Sequence, residues 1–487
     1  MGFEPFIVKN RFVSTVIGTF AVYLSIAFIT PLNNFSVYIT SHINLKQEFV
    51  TMHYGMFIHL IFSFASTFSN PLGGILENYL GFLKTIFLGL LILLIGCIAF
   101  IYQQNIWLCY GLSLIMGMGT GISTSLLGKN LVFYVPNKKG MLTGAVGIGA
   151  VIISAAYTFT GEKIINFEGY TLKENEQYYP DYICERTYIY FIVGAISIPI
   201  GFIISIFFIH VYKPEYSITE NKNEKNEEKK EKENEENNSP QKTNEKEQIP
   251  KNEALDEINK QKSKNNVKQA IKSFRFWRIG LISLFLNFSI SFMANTGRTF
   301  GALIGINGTA LQFLMVLQAI SFIIVGPILG SCVDKKGALI VLRILSVICI
   351  IPGVLLALFM DITPVFMLAF VINVIGVSGI LIGFGPFIME IYGIQESVIL
   401  GGIISAFSKI SEITTTVTAF IVSLFFKDVE ELKVPYRAIY IISSIFCTIS
   451  AILLLLESNE KVNYTLEIPM SNEDSVESQT ESLQSID

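Results

Sequence analysis

The stretch "GSCVDKKG", residues 330–337, follows directly on the apolar run from Leu311 to Leu329. A helix rises about 1.5 Å per residue, so roughly 20 apolar residues cross the hydrocarbon core of a bilayer. An aspartate and two lysines closing such a run belong at the membrane surface, where charge stays hydrated. The pattern does not stand alone. "GGILENYLGFLK", residues 73–84, also ends an apolar run with glycines, an acid and a nearby lysine. Counted from the first glycine of each stretch, Glu77 stands four residues after Gly73, as Asp334 stands four after Gly330.

The whole chain agrees with this repeat. Hydrophobic residues make up 51% of it and mean hydropathy is +0.54. Only 15% of residues are charged, against about a quarter in ordinary soluble chains. Apolar runs fall at 11–33, 48–76, 82–102, 106–134, 140–164 and 188–212, then at 276–298, 309–333, 338–360, 363–391, 398–426 and 435–457. That is six spans, a break, and six spans. The expected fold is an all-α membrane protein of twelve transmembrane helices in two pseudo-symmetric six-helix bundles, residues 1–213 and 273–457. Between them, 214–272 is a low-complexity Lys/Glu/Asn stretch too polar to bury a core, expected to be a disordered linker. The Ser-rich acidic tail, 458–487, reads the same way.

Lysine and arginine placement sets the orientation. The loops with Lys84, Lys138/Lys139 and Lys335/Lys336 share a side with the linker and both termini, which makes that side cytoplasmic. The opposite loops hold Lys46, Lys173, Arg186 and Lys427. The protein is expected to sit in the lipid bilayer as an integral, multi-pass protein of the plasma membrane or an organelle membrane.

Several classes drop out. The net charge of −4 resides largely in linker and tail, so it points to no nucleic-acid partner. The six cysteines show no paired spacing, and histidines 42, 53, 59 and 210 are scattered. No nucleotide loop, zinc spacing or nucleophile elbow occurs. An enzyme is not expected, and no cofactor or metal is implied.

"GSCVDKKG" resembles the G-x-x-x-D-[RK]-x-G loop of the major facilitator superfamily. "FYVPNKKGMLTGAVGIGA", residues 133–150, resembles a segment of its oxalate:formate antiporter and monocarboxylate transporter branch, with Ile148 where the last glycine of the pattern stands. "SFRFWRIGLISLFLN", residues 273–287, resembles the start of that branch's seventh helix. The resemblance implies the major facilitator fold, two bundles rocking about a midplane site. It implies gating roles for Asp334 with Lys335 and Lys336, and for Glu77 with Lys84.

Charges inside the spans cost about 2.5–3.5 kcal/mol each on insertion scales and so need a partner or a purpose. Lys409 lies about 18 Å into the eleventh span at helical rise, with Glu412 one turn on. Gly401, Ser405, Lys409, Glu412 and Thr416 form a polar stripe at helical spacing. The resemblance places a carboxylate-binding lysine at Lys409. It also places an arginine of the eighth helix at Gly326, where this chain has no cation. A monoanion fits that charge count, as does a zwitterion meeting both Lys409 and Glu412. His59, mid-depth in the second span, heads a stripe with Ser63, Ser66 and Asn70 and is a candidate proton carrier beside Glu412. Asn287 and Arg298 lie on one face of the seventh span, Arg298 near the outer surface as an anion attractor or a snorkelling end. Lys129, near the cytoplasmic end of the fourth span, is expected to snorkel as well.

The function expected is secondary transport of a small organic anion, monocarboxylate-like, by proton symport or anion exchange. The alternatives are an amino-acid or neutral-solute carrier, and a non-transporting nutrient sensor on the same fold.

Overall fold

A computed structural model describes residues 4–50, 52–170, 178–212, 263–303, 308–425, 429–458 and 460–462. Lys173, Lys427 and most of the expected linker and tail lie outside the described residues, as does the side chain of Arg298.

The first half contains α1 (Glu4–Ile26), α2 (Met52–Leu80), α3 (Phe82–Phe100), α4 (Ile106–Tyr134), α5 (Lys139–Ile165) and α6 (Thr187–Phe208). A further helical segment, Leu32–Asn44, carries the first span onward past Pro31. The second half contains α7 (Phe274–Leu303), α8 (Gly308–Lys336), α9 (Ala338–Phe359, interrupted at Cys349), α10 (Thr363–Tyr392), α11 (Ser397–Phe425) and α12 (Val429–Leu455). Ten of the twelve are long and apolar enough to cross a membrane on the described residues alone. The other two, α2 and α8, are 29 residues each. The polar stripe of α2 dilutes its hydropathy, and α8 carries the apolar run that precedes "GSCVDKKG".

Each half has its own core. Phe28, Leu93, Cys97, Phe100 and Phe191 are fully buried in the first, with the rings of Phe100 and Phe191 stacked at 4.4 Å. The second half buries Phe276, Leu342 and Phe387 near the linker face, and Phe292, Phe366 and Tyr440 further away. In lipid, helices gain little from the hydrophobic effect against each other, so close backbone approach and hydrogen bonds hold them. Gly121 of α4 shows the consequence: a Cβ there would stand 1.9 Å from the Ser66 carbonyl oxygen of α2.

The bundles meet along two crossings, α2 on α11 and α5 on α8. Gly81 and Gly337 fix the equivalence of α2 and α8. Both have positive φ, 82° and 86°, which glycine adopts without strain. Each donates its N–H to the carbonyl four residues back, that of Glu77 or Val333, and each opens the next helix. Aligned on these turns, "GILENYLG" (74–81) matches "GSCVDKKG" (330–337) residue for residue, with Pro71 and Pro327 at the same place upstream. This corrects the repeat expected above. Asp334 is matched by Asn78, and Glu77 by Val333.

Two further corrections concern the polar segments. Residues 263–272, expected within the disordered linker, are helical, bury Ala270 and bond Asn266 to Glu396 at 2.9 Å. Residues 458 and 460–462, expected within the free tail, are pinned. Arg275 donates to the carbonyls of Ser458 and Glu460, and Val462 donates its N–H to Ile391.

Candidate functional site

The polar face of α11 is turned to α2 at the seam between bundles. Lys409 and Glu412, one turn apart, form a hydrogen-bonded ion pair. Their side chains retain 30% and 15% exposure, so both are largely enclosed by protein. From α2, Ser63 and His59 stand beside the pair, His59 near enough to act electrostatically on both of its members. The His59 Nδ1 is buried and has no hydrogen-bond partner among the described residues. The sequence marks His59 and the Lys409/Glu412 pair as separate features; the α2–α11 crossing brings them into one cluster shared by both halves.

The other expected contact residues sit around it differently. Ser405 donates to the Gly401 carbonyl at 2.8 Å, a bond within its own helix. Asn287 donates to the Ser283 carbonyl at 2.8 Å and to the Ser408 hydroxyl at 3.0 Å, while the Ser283 and Ser408 hydroxyls are 2.6 Å apart. This cluster, with Ser411 donating to the Leu284 carbonyl, braces α7 against α11 directly beside Lys409.

The expected gating residues lie at the linker-side ends. Asp334 reaches across the seam: Oδ1 accepts the Gly140 N–H at 2.7 Å and Oδ2 the Met141 N–H at 2.9 Å. A carboxylate on the first turn of a helix meets free N–H groups and the positive end of the helix dipole. Glycine is needed at this crossing, because a Cβ on Gly140 would sit 2.6 Å from the Gly330 carbonyl oxygen. Beside it, Lys139 pairs with Glu390 of α10 at 3.0 Å, and Glu390 accepts the Ala338 N–H at 3.3 Å. Glu390 escaped the sequence reading; an acid close to the end of an apolar span is the signal that could have drawn it out.

The pairings expected around the two acids need correction. Lys335 and Lys336 are exposed and do not supply the contacts of Asp334, which are backbone N–H groups of the other bundle. Glu77 pairs with Lys129 of α4 at 2.7 Å, both largely buried, and Lys84 is exposed. The Gly81 turn carries Lys84 onto α3 and away from Glu77, whereas the α2–α4 crossing sets Lys129 beside it. Lys129 is therefore an ion-pair partner instead of a snorkelling end.

Comparison with known proteins matches this architecture. The sequence matches the Major Facilitator Superfamily over residues 15–304. No curated protein matches the chain in sequence. Among solved structures, the human organic anion transporter MFSD10 (TETRAN) aligns with a TM-score of 0.63 at 12% identity, covering 92% of this chain and 99% of that one. The proton:xylose symporter XylE aligns with a TM-score of 0.62 at 12% identity, covering 92% and 95%. The E. coli fucose:proton symporter FucP gives 0.55 at 12% identity, covering 91% and 99%. The fold and its seam define an integral, multi-pass membrane protein built as a secondary transporter. The chain belongs to the major facilitator superfamily.

Proposed function

We propose that the protein carries a small organic anion, monocarboxylate-like, by proton symport or anion exchange. The observation that supports this is the Lys409–Glu412 pair at the bundle seam. A lone ammonium at mid-membrane is costly, and Glu412 offsets that cost in the empty carrier. An arriving carboxylate competes with Glu412 for Lys409 and leaves Glu412 to Ser63 and His59 on the opposite bundle. Binding would thereby change the contacts between bundles, which is what an alternating-access carrier requires. The two charges also favour a second reading, a zwitterion such as an amino acid whose carboxylate meets Lys409 and whose ammonium meets Glu412.

Uptake into proteoliposomes tests the proposal. Radiolabelled lactate, pyruvate, formate, oxalate and amino acids are compared with and without a pH gradient. Movement of at least one monocarboxylate, with weaker or no movement of oxalate, is the expected result. Amino-acid uptake alone would select the zwitterion reading. Binding without movement would favour a sensor.

A separate expectation concerns Asp334, whose bonds hold the linker-side ends together. Asp334→Asn is expected to slow turnover several-fold and leave substrate affinity largely intact, since the contact lies far from Lys409. Initial rates and equilibrium binding on the purified variant check this. Unchanged turnover would reduce Asp334 to a marker of topology.

A further inference from the structure

We infer that the helix over residues 263–272 is a docking surface for anionic lipid headgroups of the leaflet on the linker side, with Lys264, Lys268 and Lys272 as the row that takes them. The inference concerns the protein's setting in the bilayer and stands apart from the solute it carries.

The charge pattern changes sharply ahead of α7. Up to Glu257 the linker mixes lysine with acids. From Ile258 to Arg278 there are seven cations and no acid, and the next acid in the chain is Asp334. Two of the seven, Arg275 and Arg278, are neutralised by Glu457. Lys264, Lys268 and Lys272 are exposed, and among the described residues they have no ion-pair partner. Spaced by four, they turn only about 40° per step and form one row along the helix. The row is held in place. Ala270 is buried, Val267 and Ile271 pack on the core of the second half, and Asn266 donates to Glu396 just before α11.

The start of α7 shows where lipid lies relative to this helix. Phe274 and Trp277 are 79% and 49% exposed, and exposed Leu281 continues their face one turn on. The apolar span begins at Phe274, and exposed rings at the end of a span sit between headgroups and hydrocarbon. Trp277 donates its indole N–H back to the Ile271 carbonyl at 2.9 Å, so this ring lies against the last turn of the lysine helix. The lysines thus stand at headgroup depth, on long stems that can carry their ammonium groups to phosphate and carboxylate oxygens. A zwitterionic headgroup balances its phosphate with an ammonium and gains little from the row. A net anionic headgroup gains about fivefold for each lysine close to it.

Trp277 can report the lipid beside it. The chain has two tryptophans, and Trp107 stands at the far end of α4 from the linker face. Protein carrying W107F is reconstituted in phosphatidylcholine vesicles that contain an equal mole fraction of brominated phosphatidylserine or brominated phosphatidylcholine. Quenching of Trp277 fluorescence then gives the relative binding constant of the two lipids at this surface. The W107F parent is expected to prefer the serine lipid about fivefold or more. K264Q/K268Q/K272Q is expected to bring that ratio close to one, while quenching by the choline lipid stays at the parent's level because Trp277 still faces lipid. Lys272→Glu alone, expected to remove most of the preference, serves should the triple variant fail to fold. Equal quenching by the two lipids in the parent overturns the inference, as does a preference for the serine lipid that survives loss of the lysine row.

Discussion

Lys409→Gln is expected to weaken the binding of anionic substrates by about ten- to a hundredfold, and with it to stop uptake, while the protein still folds. The size follows from the chemistry lost. A charge-assisted hydrogen bond contributes about 1.5–3 kcal/mol, and 1.4 kcal/mol is tenfold in affinity. No second cation stands at Gly326 of α8 to compensate. Glutamine is one bond shorter than lysine and neutral but keeps a hydrogen-bond donor, so the Lys409→Gln carrier loses charge and little packing. Glu412→Gln is the informative companion. It leaves Lys409 without its internal counter-ion, so anion binding should tighten as the return of the empty carrier slows, and exchange should outlast net uptake. Isothermal calorimetry and paired uptake and exchange assays on both variants check these outcomes.

Glu457→Ala is expected to cost about 3 kcal/mol of stability, the lower end of what removing one partner of a buried ion pair costs. The Glu457 side chain is 0% exposed, accepting from Arg275 at 2.5 Å and from Arg278 at 2.6 Å. Arg343 adds bonds to the carbonyls of Leu454 and Glu457, so three arginines clamp the end of α12 to α7 and α9. Without the carboxylate, two guanidinium groups face each other with no anion between them. Their partial exposure, 19% and 24%, lets water take up part of the loss. Transport per folded molecule should be retained, because the clamp is remote from Lys409. Thermal unfolding of detergent-purified protein measures the loss; a melting point equal to the parent's would show that the cluster is only a surface arrangement.

The architecture was legible in the sequence because its causes are local. Apolar length decides what spans a membrane, and the glycines of 73–84 and 330–337 announce a turn at the same place in each half. Lys409 and Glu412 were legible for the same reason, as helical spacing alone puts them on one face. Contacts made by tertiary packing were not. Nothing local tells that His59 of α2 meets Glu412 of α11, or that Glu77 turns to Lys129 on α4. The one-residue misalignment of Glu77 with Asp334 arose from matching the first glycine of the doublet Gly73–Gly74. Only the backbone turns at Gly81 and Gly337 decide the match, and they select Asn78. Glu457 closes the second bundle in the sequence and nothing next to it names its partners, although Arg275 and Arg278, three apart and so on one helical face, are a sign that an acid has to come to them.

The central claim, that Lys409 receives the substrate carboxylate and Glu412 stands in for it in the empty carrier, is tested most directly by the double variant Lys409→Gln/Glu412→Gln. A neutral pair removes both charges from the seam, so neither single-variant penalty for an unpaired ion applies. The measurement is net uptake of the best anionic substrate by proteoliposomes of the double variant, normalised to folded protein by its melting curve. The account predicts a melting temperature near that of the parent, with uptake lost. A double variant that melts like the parent and transports at the parent's rate would reduce the pair to a structural ion pair and contradict the account.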